Sequence, residues 1–243
     1  MKKIFVLFVF AVSVQVFAQE SALLRVNYNK GDVYEIKMIQ QQSTGIQGGS
    51  DMTILMDMVV TEVTDETFEA ESKITSINMD MNQSGMSMSY DSSKSDDELD
   101  AMGKMLKGQL SPMMSAVITS TIDKYGNTLA TTVEPSIPSM EQFTNGAAIN
   151  YPKEEVKVGS SWTSDNEQQG MTIKTTYTVT EITDGVVYID IKGDVSGVGT
   201  GSMTGTSEVE ISTGMAKNNT SEITVTAQGI EVSVSSDIQM TKK

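Results

Sequence analysis

The chain has 243 residues, 32 of them acidic against 17 basic, a formal net charge of −15, no cysteine and no histidine. Those two absences exclude disulfides, thiol nucleophiles, thiolate or imidazole metal sites and the usual Ser-His-Asp triad. The acidic balance, with Arg25 as the one arginine, excludes a phosphate- or nucleic-acid-binding surface.

The first 18 residues read as an export signal. Lys2 and Lys3 give a positive start, Ile4 to Val16 an apolar stretch of 13 residues, and Val16-Phe17-Ala18 small residues at −3 and −1 of a cleavage site before Gln19. At about 1.5 Å per residue such a helix reaches about 20 Å, short of a hydrocarbon core of about 30 Å. No later apolar run approaches spanning length. The expected mature part is a soluble protein, exported to the periplasm or outside the cell and cleaved after Ala18, with 17 − 2 = 15 basic and 32 acidic residues, a net charge of −17. It holds no lipid-acceptor cysteine.

From residue 19 to 134 the pattern is mainly period two. Met52, Ile54, Met56, Met58 and Val60 share one face opposite Thr53 and Asp57, and Ile77, Met79 and Met81 alternate with Asn78 and Asp80. Such alternation predicts antiparallel strands with one face buried. Ser95-Asp96-Asp97-Glu98 has the form of a capping box. Leu99, Met102, Leu106 and Leu110 follow at helical spacing beside Met105, which predicts a helical insertion over about 94–111, stopped by Pro112.

Pro135, Pro138 and Pro152 mark residues 135–152 as a connection, with a short helix expected over Ser139 to Thr144. Residues 153–243 return to alternation through Val179, Ile182, Val187, Ile189 and Ile191, and end on Ile223, Val225, Val232 and Val234. The two stretches match each other in order. Gly31-Asp32-Val33-Tyr34 resembles Gly159-Ser160-Ser161-Trp162, Thr61-Glu62-Val63-Thr64-Asp65 resembles Thr180-Glu181-Ile182-Thr183-Asp184, and Asp123-Lys124-Tyr125-Gly126 resembles Ile211-Ser212-Thr213-Gly214. Gly126 lies 61 positions after Asp65 and Gly214 lies 30 after Asp184, so the first stretch holds 61 − 30 = 31 extra positions, where the helix falls. The expected fold is mainly β: two related antiparallel curved-sheet halves, half-barrel-like, with one or two short helices.

The signal ending Phe17-Ala18-Gln19-Glu20, the segment Tyr90-Asp91-Ser92, and Tyr151-Pro152 through Val156-Lys157-Val158-Gly159-Ser160-Ser161-Trp162 resemble an uncharacterised family of exported proteins of Bacteroidota, a domain of unknown function. The resemblance spans most of the mature chain but carries no functional residues. The two-half layout is also loosely similar, at the level of fold, to the half-barrels of envelope lipid- and lipoprotein-binding proteins.

No carboxylate pair is singled out for glycoside chemistry, and no Ser-x-x-Lys stands at a helix start, so the chain is read as non-catalytic, with no cofactor and no metal. Asp91, Asp96, Asp97 and Glu98 lack the ligand spacing of a calcium loop. The 18 methionines are the unusual feature. Three readings stand for them: core filling, a Met-lined groove for an apolar ligand, and soft thioether binding of copper(I) around Met79, Met81, Met86 and Met88. The leading expectation is an apolar small molecule or lipid bound by Met56, Met58, Met79, Met81, Met102 and Leu106. The alternative is a structural or protein-interaction module working through its acidic surface.

Overall fold

The computed structural model describes residues 20–45, 48–83, 85–137, 140, 149–168 and 170–243. The signal segment with its cleavage site, and the expected helix over Ser139 to Thr144 apart from Met140, lie outside the described residues.

The strands in chain order are β1 (Ser21–Ala22), β2 (Val33–Ser43), β3 (Gly48–Val63), β4 (Thr67–Gln83), β5 (Met86–Asp91), β6 (Val117–Asp123), β7 (Thr128–Glu134), β8 (Val156–Lys157), β9 (Ser161–Gln168), β10 (Met171–Thr183), β11 (Val186–Gly197), β12 (Thr200–Glu210), β13 (Met215–Ala227) and β14 (Ile230–Lys242). The helix α1 (Ala101–Ser115) stands between β5 and β6. All the long strands join one curved antiparallel sheet in the order β7-β6-β4-β3-β2-β14-β13-β12-β11-β10-β9, with β5 added to the far end of β4. The sheet is not closed into a barrel: β7 and β9 are its two edges. The two expected halves are thus parts of one surface, joined where β2 pairs with β14 from Tyr34↔Lys242 to Ser43↔Ser233.

The alternation read in the sequence lies on the concave face. Ile54, Met58, Val60, Ile77, Val179, Ile182, Val187, Ile189 and Ile191 are buried, and each has its partner residues across the ladders on the same face. Two of the sheet's bulges match between the halves. The register shifts after Val60 and after Val179, so Thr61 and Thr180 are unpaired extras, and each donates its hydroxyl to a backbone carbonyl of the next strand, Glu69 and Tyr188, at 3.2 Å. The turns before β2 and β9 match as well. Gly31 and Gly159 donate to Val60 and Val179 at 2.8 Å, and Val60 and Val179 donate back to Asp32 and Ser160 at 2.9 Å.

Two extended segments strap the concave face, and each crosses a turn of the other half. The amide of Asn27 donates to Thr213 at 2.9 Å, beside the β12–β13 turn, while that of Tyr151 donates to Tyr125 at 2.7 Å in the β6–β7 turn. Gly126 and Gly214 make these crossings possible. Both have positive φ (85° and 64°), and a Cβ at either would strike the carbonyl oxygen of Ile149 or Arg25. The Arg25 guanidinium then ties one strap to the other by donating to the carbonyls of Pro152 and Lys153, lying over the Tyr125 ring at 4.5 Å.

The helix differs in detail from its expected bounds. Its N-cap is Asp100, whose carboxylate accepts from the Gly103 amide at 2.7 Å, and not Ser95. Ser95 to Glu98 forms a separate turn: the Glu98 carboxylate reaches back to the Ser95 amide (2.9 Å), but the serine hydroxyl donates to that carboxylate instead of capping Glu98. Pro112 lies inside the last turn, and the helix runs three residues beyond it to Ser115. Met113 and Ala116 are buried in the helix–sheet core, with Leu110 and Met114 packed against it, so packing offsets the lost hydrogen bond at Pro112.

Candidate functional site: an apolar groove on the concave face

Curvature and the straps leave a partly open groove of about 260 Å³ on the concave face. Its floor follows from strand parity. Ile36 and Met38 of β2, Met56 and Met58 of β3, and Ile238 and Met240 of β14 point into it as even-numbered neighbours in register. Phe68, Ala70 and Ser72 of β4 and Ile118, Ser120 and Ile122 of β6 extend the floor. Val26 and Tyr28 from the first strap and Ile149 and Tyr151 from the second form its roof. Among the described residues no charged side chain lines it.

Aromatic residues close one end. The Tyr28 ring meets Tyr34 at 4.9 Å and Phe68 edge-on at 5.0 Å. The Tyr34 hydroxyl donates to Asp32 at 3.1 Å and that of Tyr151 to the Gly214 carbonyl at 2.9 Å. Among the described residues the Tyr28 hydroxyl reaches only the thioether of Met240, at 4.0 Å. Burial pushes all three phenols up, so they stay neutral at physiological pH. Asp32 behind them is held down at about 2, chiefly by Lys242 at 2.7 Å, and also by the Asn29 amide at 3.0 Å and the Tyr34 hydroxyl.

The structure divides the residues singled out in the sequence between this groove and the adjoining helix-covered core. Met56 and Met58 line the groove. Leu106 is buried in the core under α1, with Ile54, Ile74, Ile77 and Leu99. Met79 and Met81 are half-buried on β4, opposite Tyr90 and Met88 of β5, and Met102 is half-buried on α1. None of these last three is among the groove residues. Met38 and Met56 belong to both groups, packing on the helix-covered core and lining the groove. The methionines of the proposed thioether group thus share one face of the β4–β5 ladder, where Met81 lies opposite Met88 and Met86 is 62% exposed. Among the described residues no cluster of three or more acidic side chains is placed to hold a metal ion.

Met38, Met240 and Ile238 were not singled out in the sequence. The signal was present as alternation in Tyr34-x-Ile36-x-Met38 and Ile238-x-Met240, but only the β2–β14 pairing brings these runs together. Val26 and Tyr28 lie in the stretch Val26-Asn27-Tyr28-Asn29-Lys30-Gly31, ahead of β2 and outside the alternating runs.

Fold and groove together define an open antiparallel β-sheet protein with an apolar concave site. The model of a family of unknown function (DUF6263) matches residues 136–241, which take in the second strap and strands β8 to β13, with all but the last residue of β14. No curated protein matches the chain. No helix among the described residues is long and apolar enough to cross a membrane.

Proposed function

We propose that this is a non-catalytic exported protein of the bacterial envelope that holds an apolar ligand, a lipid or a lipid-like molecule, in the concave groove. The observation that carries this reading is the groove itself, about 260 Å³, whose described walls hold four methionines and no charge. Thioether side chains are flexible and polarisable and adapt to ligands of varied shape. The volume falls just under the roughly 300–1,000 Å³ of drug-sized sites and above the roughly 150 Å³ that admits benzene, which suits one acyl chain or ring system and not a two-chain lipid. The signal-like N-terminus supports export. The matching bulges, turns and crossed straps support reading the two halves as copies of one unit, with the groove opening where they meet.

Native mass spectrometry of protein purified without detergent from a bacterial envelope tests this. The expected result is extra mass that disappears on organic extraction. Met38→Glu and Met240→Glu, both at half-buried positions, should abolish the adduct while leaving the circular dichroism of the sheet intact. The rival reading, an interaction module acting through its acidic surface, draws on the net charge of −15 and the two edges β7 and β9. A bare polypeptide mass, unchanged after a single-chain lipid is added, would favour it.

A further inference from the structure

Tyr28 is the exception among the three tyrosines whose hydroxyls meet at the aromatic end. Tyr34 and Tyr151 spend their hydroxyls on Asp32 and Gly214, whereas the Tyr28 hydroxyl faces the groove with only the weak acceptor Met240 at 4.0 Å. An O–H turned towards an apolar wall gains by meeting an oxygen acceptor, since a thioether replaces little of the hydration lost on burial. The groove offers nothing to a charged head group. Among the described residues no Lys or Arg lines it, and the ammonium nearest this end, that of Lys242, is already paired with Asp32 at 2.7 Å. An anionic head at this end would be desolvated with no free counter-charge on the described walls.

We infer that the ligand is an uncharged single-chain amphiphile whose one oxygen acceptor, a hydroxyl, ester or ketone oxygen, takes the Tyr28 hydroxyl at the aromatic end while its chain lies along Met38, Met56 and Met240. The inference rests on the groove reading above and narrows it by head-group charge. It excludes free fatty acids and phospholipids as the preferred class. It also assigns the N-terminal strap a role in selectivity, since Tyr28 is the strap's contribution to the site.

Displacement of the neutral fluorophore N-phenyl-1-naphthylamine by 1-decanol, decanoate and decane at neutral pH tests it on the whole protein. Expected is displacement by 1-decanol at concentrations at least about tenfold below decanoate, with decane weaker than decanol by about threefold to tenfold. Tyr28→Phe keeps the ring against Tyr34 and Phe68 and should remove the decanol advantage over decane without changing decane itself. Decanoate binding as well as decanol would overturn the charge argument. Decane matching decanol, or Tyr28→Phe leaving decanol unchanged, would overturn the role of Tyr28 and leave the groove reading standing. If neither the fluorophore nor any of the three compounds binds, the groove reading falls, and this inference with it.

Discussion

Asp32 shows how much one side chain organises at the aromatic end. Its carboxylate accepts from Lys242, the Asn29 amide and Tyr34, so it fixes the turn before β2, the end of β14 and an aromatic wall of the groove together. With a carboxyl held at about 2 against an ordinary value of 3.8, its contribution is present above about pH 4 and is lost as pH falls towards 2. The Lys242 head group is about half exposed, so screening keeps the effect modest, about 1 kcal/mol. Asp32→Asn should therefore lower the melting temperature at neutral pH, with the gap to the unmodified protein closing as both are taken to pH 2. A gap that persists unchanged at pH 2 would show that the charge is not what stabilises this turn. Tyr34 stands out in the sequence as the aromatic after a glycine turn, matched by Trp162 in the second half, and the structure buries it fully. Asp32 escaped notice because its partner Lys242 lies at the other end of the chain.

Among the elements, α1 shows both what local sequence specifies and where it stops. The stripe of Leu99, Leu106 and Leu110 predicted an apolar partner, and the helix meets β4 and β5 on that side. Its start was misread because two acidic side chains compete as caps. Glu98 closes its own turn on Ser95, leaving Asp100 to cap α1. Contact with the sheet depends on a small residue: a Cβ at Gly103 would stand 3.2 Å from the Ser89 carbonyl oxygen. Gly103→Leu should cost about 1–3 kcal/mol in denaturant unfolding, because the helix must back away from β5. Gly103→Ala should be near neutral, a helix-propensity gain of up to about 1 kcal/mol being offset by that tight contact. A fully tolerated leucine would mean that α1 does not dock as closely as described.

Across the whole molecule, local alternation foretold the strands and their buried faces but not how the halves join. Period two says which side chains share a face, and the paired Thr-Glu-x-Thr-Asp segments hold two matching bulges. The β2–β14 seam joins residues about 200 positions apart, and no local signal in either strand names the other. Part of the site was hidden for that reason. Met56 and Met58 sat in a conspicuous run and Met38 joins them across the β2–β3 ladder, whereas Ile238 and Met240 reach the site only through the seam, and Val26 and Tyr28 come from a strap outside the long strands. The strap tie should matter to the same degree. Arg25→Ala removes the link to the Pro152 and Lys153 carbonyls, and it should raise amide hydrogen exchange in both straps before it affects the central strands.

The central claim is that the concave groove, and not the methionine group of β4–β5 or the outer surface, is where an apolar molecule binds. The methionines themselves can report on it. In a methyl-¹³C-methionine NMR titration with 1-decanol, the resonances of Met38, Met56, Met58 and Met240 should shift together and saturate, while those of Met86 and Met105 on the exposed side stay in place. Saturable shifts confined to Met86, Met88 and Met105, with the four groove resonances unmoved, would contradict the account.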